Sequence, residues 1–346
     1  MPMPHGSRRA HLLTSTALTV LLAALVLAAC GGDKSASTAT DGSAAGDGAG
    51  AFPVTITHAL GKTTIAREPR RVVALGWSDQ DPVLALGVKP VGTIEWFDEQ
   101  PGAIFPWAKE AAGGAVPKLV GTAGQINFEA VAALHPDLIL ALYEGLDRKK
   151  YATLSKIAPT VAQSAEYDPF GATWQDMTRT AGRALGREQR ADELIAGVEA
   201  RFAKIRQEHP EWADQTALVM ADLSNGKYSV FSPQDPKARF FAQLGFKTTP
   251  KWMEGRVEDN LAEVSAEQVR LLDVDRLAWT SDPATLKKIK ADKLYNRLDV
   301  VRDGRVSYLD YTKPPFPGAA VTFNSVLSIP YALDRVVPEL VASAGT

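Results

Sequence analysis

Residues 127–142, NFEAVAALHPDLILAL, decide the fold class. Asn127 stands where a short polar side chain can cap a helix running to Leu134. Asp137 then opens an apolar run to Leu142, the pattern of a strand buried on both faces. Residues 265–279, SAEQVRLLDVDRLAW, repeat the arrangement with Ser265 at the cap position and Asp275 opening the strand. Glu129 and Glu267 each lie two residues beyond the cap position and eight before the aspartate. A helix–strand unit that recurs at this spacing points to a duplicated α/β lobe, and ligands commonly bind between such copies.

Outward from these units the alternation continues. Arg71–Leu75 predicts a buried strand, Asp81–Leu86 a helix closed by Gly87, and Pro90–Ile94 the next strand, with a last extended piece at Thr160–Ala162. Residues 173–208 are charged and helically periodic, and Leu194, Val198, Phe202 and Ile205 share one apolar stripe. They predict a short helix and then one of about 20 residues, roughly 30 Å long. Beyond it come strands at Ala217–Leu223, Tyr228–Phe231 and Arg305–Leu309, a helix over Lys237–Leu244, and a closing helix over Val326–Val341. The expected architecture is α/β: two Rossmann-like lobes, 52–187 and 210–346, joined by one long helix at 188–209, with the ligand cleft between them.

The N-terminus carries a different message. Arg8 and Arg9 precede an uncharged, mostly apolar stretch over 12–29, which predicts an export signal over 1–29. Leu27-Ala28-Ala29-Cys30 at its end resembles the bacterial lipobox, whose cysteine receives a diacylglycerol and becomes the first residue after cleavage. Ser7-Arg8-Arg9 also carries a weak twin-arginine hint. Residues 31–51 are built almost wholly of Gly, Ser, Ala, Thr and Asp, so 30–51 reads as a lipidated cysteine on a disordered tether reaching about 25 Å. The expected location is the outer face of the cytoplasmic membrane.

Composition removes several function classes. The 346 residues carry a net charge of −2, which offers no field for nucleic acid. Cys30 is the only cysteine, so neither an internal disulfide nor a zinc-thiolate cluster can form. The five histidines share no helical face, and no protein metal site is expected. Gly76-Trp77-Ser78-Asp79-Gln80 begins like a nucleophile elbow but lacks the closing glycine. A hydrolase using Ser78 is the enzymatic alternative and a purely structural envelope lipoprotein a third; no catalytic residue is assigned.

The ordered motifs resemble the substrate-binding lipoproteins of ABC importers for iron–siderophore complexes, a family that includes haem and cobalamin binders. The matching stretches are Pro69–Leu75, Ala85–Gly92, Asn127–Glu129 with Leu134–Ile139, Ile157–Thr160, Gly304–Val306 and Ala332–Asp334. Leu294–Asp303 departs from the family in lacking a tryptophan. The resemblance implies a monomeric receptor with modest closure on binding, which passes a ferric siderophore to a permease dimer. No cofactor is implied, because the iron travels inside the siderophore; haem or cobalamin is the alternative cargo. It also implies that Glu129 and Glu267, one per lobe, meet permease arginines. On residue chemistry alone each is a first-turn acid that favours its helix dipole.

Within such a frame the aromatic residues are the best ligand signal. Trp77, Trp96 and Tyr143 directly follow expected strands, where α/β proteins form their crevice. Trp252, Trp279 and Tyr311 are expected at comparable places in the second lobe, whereas Trp107, Trp174 and Trp212 are expected to be structural. Ferric siderophores are large and often anionic. Arg239 is therefore the first choice for a cation facing ligand, with Lys313 and Arg256 behind it.

Overall fold

The computed structural model describes residues 51–96, 100–224 and 226–343; the signal segment, Cys30 and the tether through residue 50 lie outside them. A hairpin of β1 (Val54–His58) and β2 (Gly61–Ile65) comes first, its buried Ile56 and Ile65 placed on the core by strand alternation. Next come β3 (Val72–Ala74), β4 (Gly92–Glu95), β5 (Lys118–Thr122), β6 (Gln125–Ile126), β7 (Leu138–Ala141) and β8 (Thr160–Ala162). They form one sheet in the order β6-β5-β4-β3-β7-β8, parallel except for β6. The second sheet comprises β9 (Ala217–Ser224), β10 (Lys227–Phe231), β11 (Val257–Glu258), β12 (Leu261–Ser265), β13 (Arg276–Ser281) and β14 (Val306–Asp310). Its order is β11-β12-β10-β9-β13-β14, with β9, β13 and β14 parallel and the β9–β11 side an antiparallel ribbon.

The duplicated motif has a mechanical purpose. Asp137 accepts from the amides of Arg70 (2.9 Å) and Arg71 (2.7 Å), and Asp275 accepts from the amide of Thr216 at 2.7 Å. Each aspartate thus ties the start of its own strand to the start of the parallel neighbour. The caps differ, however. Asn127 accepts from the Ala130 amide at 2.9 Å and starts an α-helix, Phe128–Ala133. Ser265 makes no side-chain cap, and Ala266–Leu272 is a 3₁₀ helix. The expected equivalence of the two helix starts is therefore one of position, not of hydrogen bonding.

Between the sheets run the helices Trp174–Leu185 and Glu188–Glu208. Ala191, Ile195, Val198, Phe202 and Ile205 are the buried face of the longer one, while Leu194 is only half-buried at its edge. That face belongs to an apolar core that also takes in Ile56, Trp107 and Met177 from the first half and Phe240, Phe323 and Leu333 from the second. The outer face of each sheet has a separate core. At the C-terminus the closing helix expected over Val326–Val341 is found at Ser328–Ala342, and a further helix, Pro317–Phe323, precedes it. Asn324 at φ 42° breaks the chain between them. The Ser325 amide then donates to Ser328 Oγ (2.9 Å) and the Ser328 amide to Ser325 Oγ (3.0 Å), which starts the second helix. No helix among the described residues is long and apolar enough to cross a membrane.

Candidate functional site

The chain leaves β3 for β4 and β5 on one side and later returns to β7 and β8 on the other, so β3 lies at the sheet's switch point. Ligands bind beyond the carboxyl ends of strands at such a point. Asp79 shapes this end: its Oδ2 accepts from the amides of Gly76 (2.9 Å) and Leu142 (2.7 Å), tying the end of β3 to the end of β7. A Cβ on Gly76 would lie 2.2 Å from Asp79 Oδ1, so only glycine lets the carboxylate fold back. The Trp77 amide donates to the Tyr143 carbonyl at 3.1 Å, and the indole Nε1–H donates to Glu144 Oε2 at 2.9 Å. The segment that looked like a nucleophile elbow is thus a bracket for Trp77. Ser78 is only 1% exposed, and this removes it as a solvent-facing nucleophile.

Four rings result. Trp77 lies with its centroid 5.0 Å from Trp96, 6.3 Å from Tyr143 and 4.7 Å from Phe170. They wall a cleft of about 700 Å³. The opposite wall is polar: Ser232, Gln234, Asp235 and Lys237 after β10, with Asp259 and Asn260 in the β11–β12 turn. Asp259 (φ 46°) and Asn260 (φ 67°) give that two-residue turn the left-handed backbone that tight hairpins need. Asn260 Nδ2 donates to Asp235 Oδ2 at 2.8 Å, and Lys237 Nζ pairs with Asp235 Oδ1 at 3.0 Å. Among the described residues no cluster of three or more His, Cys, Asp or Glu is arranged to hold a metal ion.

Of the residues expected here, Trp77, Trp96 and Tyr143 meet in the cleft. Arg239 does not line it. Its Nη1 donates to the Gly171 carbonyl at 2.6 Å and its Nη2 to Gln234 Oε1 at 3.0 Å, so the guanidinium joins the two walls. Trp279 is a correction: β13 runs on to Ser281, which leaves this indole 0% exposed and donating to the Tyr295 hydroxyl at 2.9 Å. Trp252 is half-buried against the outer core of the second lobe, and Tyr311 is half-buried against the shared core; neither is among the residues lining the cleft. Lys313 is exposed in the turn after β14, where its amide donates to Asp310 Oδ1, and it too lies off the cleft. Arg256 lines a neighbouring rim cavity with Glu258, Asp259 and Glu263. Trp107, Trp174 and Trp212 are buried. Glu129 and Glu267 are both exposed. The sequence reading missed Phe170 and the whole Ser232–Asn260 wall. The Asp259-Asn260 pair between two short β patterns was the available signal for the latter.

Three buried acids support the ring wall from behind. Burial pushes Asp79 up to about 6 and both Asp81 and Glu144 up to about 7. Asp81 accepts from Trp107 Nε1 at 2.8 Å and from the Ser325 hydroxyl, and Glu144 is 2% exposed under Trp77. Each keeps one oxygen without a hydrogen-bond partner among the described residues.

Residues 72–312 match the periplasmic binding protein family. The chain is 26% identical over 303 residues to a probable siderophore-binding lipoprotein, YfiY, of Bacillus subtilis, covering 84% of this chain and 88% of that protein. A crystal structure of a periplasmic solute binding protein from Mycobacterium smegmatis is 33% identical and superposes with a TM-score of 0.75, covering 84% of this chain and 99% of that one. Streptococcus pneumoniae PiaA in complex with ferrichrome is 29% identical with a TM-score of 0.72, covering 84% and 98%.

Carboxyl groups raised by burial fix the sign of one pH effect. At these three carboxyls the folded chain holds more protons than the unfolded one between about pH 4 and 7, so their contribution to stability falls as pH rises through that window. Glu144→Gln keeps an acceptor for Trp77 and removes one titration. Its urea midpoint should depend less on pH between about 5 and 8 and exceed the parent's at the alkaline end. An unchanged dependence would show that Glu144 ionises normally in the fold.

Proposed function

The chain belongs to the periplasmic binding protein family, and from that premise we propose that it is an extracytoplasmic receptor delivering a ferric siderophore to an ABC importer. One observation carries this reading: a cleft of about 700 Å³ set at a switch point, with four clustered rings on one wall and hydrogen-bonding groups on the other. Rings supply contact area with few rotors to freeze, which suits a bulky chelate with an apolar shell. The names of the relatives point the same way. The reading is non-enzymatic, and the iron arrives with all its ligands from the siderophore. Haem or cobalamin is the alternative cargo.

The same proposal assigns the remaining residues. Cys30 carries the lipid that holds the receptor at the outer face of the membrane, and the chain works as a monomer. Glu129 and Glu267 are exposed on equivalent turns of the two lobes, and they meet arginines of a permease dimer. Charge of this kind governs orientation and encounter more than affinity.

A ferric siderophore that enters the cleft should quench the fluorescence of Trp77 and Trp96 strongly. Trp77→Ala should weaken binding by about tenfold or more, as expected for a central aromatic anchor. Quenching by haem or cobalamin, with none by any ferric siderophore, would replace the cargo. The double reversal Glu129→Arg with Glu267→Arg should leave that titration near the parent's while uptake of radiolabelled iron by cells collapses. Uptake that survives would return both residues to the role of helix-end charges.

A further inference from the structure

We propose that the cleft selects ferric complexes that carry no net charge or a positive one, and so takes trihydroxamates in preference to tricatecholates or hydroxycarboxylates. This deepens the siderophore reading and rests on it. The chemistry of the chelates supplies the contrast. Three singly negative hydroxamates balance a ferric ion, and a pendant amine makes the complex cationic. Three doubly negative catecholates leave it triply negative.

Among the described residues, the lining of the cleft offers no uncommitted cation to such an anion. Lys237 is the only basic residue among those lining it, and its ammonium is committed twice. It pairs with Asp235 at 3.0 Å, the two side chains being 11% and 5% exposed, and sits 3.9 Å from the centroid of the Phe231 ring. Drawing Lys237 away would strand the Asp235 charge in a buried site, a costly change. Arg239 lies behind the lining, with Nη1 held by the Gly171 carbonyl and Nη2 by Gln234, so its charge can offset one of the cleft carboxylates but not both.

Carboxylates, by contrast, face the cleft from both sides. Asp168 stands beside the rings and Asp259 in the opposite turn, both exposed, and neither forms an ion pair among the described residues. Asp259 also borders the neighbouring rim cavity, where Arg256 stands with Glu258, while Glu263 is paired with Lys227. A triply negative guest would lose its hydration here and meet two carboxylates. A neutral guest would lose nothing, and an ammonium would gain.

The test varies ligand charge at constant chelate. Ferric desferrioxamine B, its N-acetylated form and a ferric tricatecholate would be titrated by tryptophan quenching at low and high salt. The amine-bearing complex should bind about fivefold tighter than the acetylated one at low salt, and the tricatecholate at least about a hundredfold weaker than either. The amine advantage should shrink at high salt and in Asp168→Asn with Asp259→Asn, whose exposed positions and amide replacements preserve the fold. Equal or tighter binding of the acetylated complex, or preference for the tricatecholate, would overturn the charge selection and leave the siderophore reading standing. Failure of all three complexes alongside binding of haem or cobalamin would overturn both.

Discussion

The two lobes share one apolar core, and the cleft depends on it. The buried face of Glu188–Glu208 is continuous with the inner helices of both halves. Phe105 stacks on Trp107 at 4.7 Å, and both rings contact Phe323 from the C-terminal segment. Asp81 Oδ2 accepts from both Trp107 and Ser325, the latter 244 residues away in sequence. Phe202 on the long helix meets Phe240 of the second half at 5.8 Å. A hinge between separately packed domains would expose these surfaces whenever it opened. A fused core limits the walls to a modest closure, so little of the binding free energy is spent on ordering them.

On this frame the ring wall is placed by backbone hydrogen bonds and its charge is set by burial. Asp79 binds the ends of two parallel strands, and this fixes Trp77 beside Tyr143. The acids behind the rings titrate high because desolvation outweighs their hydrogen bonds. On the facing wall Lys237 is paired with Asp235, and Arg239 behind it is held by Gln234 and the Gly171 carbonyl. What remains for a guest is aromatic surface, hydrogen-bonding groups and two exposed carboxylates.

Much of this was legible in the sequence, and the misses have physical causes. Parallel strands buried on both faces leave continuous apolar runs, so β3, β7 and β9 were visible, and the long helix declared itself by its stripe. Trp77, Trp96 and Tyr143 followed from those strand ends. Trp279 failed because β13 runs two residues further than its apolar core suggests, which turns a strand-end residue into an interior one. The second wall failed for a deeper reason. The rule used concerns parallel strands, but this lobe presents the loop after antiparallel β10 and a hairpin turn to the cleft. Arg239 was found as a cation in the right neighbourhood. Its commitment to Gly171, 68 residues away, is a tertiary fact that no local pattern carries.

A cleft framed by the shared core should receive an iron chelate between the ring wall and the β10 wall. Anomalous diffraction at the iron edge, from crystals grown with a ferric trihydroxamate, tests it most directly. One iron peak should lie between Trp77 and Asn260, coordinated by the chelate alone, with the lobes closing only modestly relative to the ligand-free protein. An iron peak outside the cleft, or lobes that rotate apart as separate bodies, would contradict it.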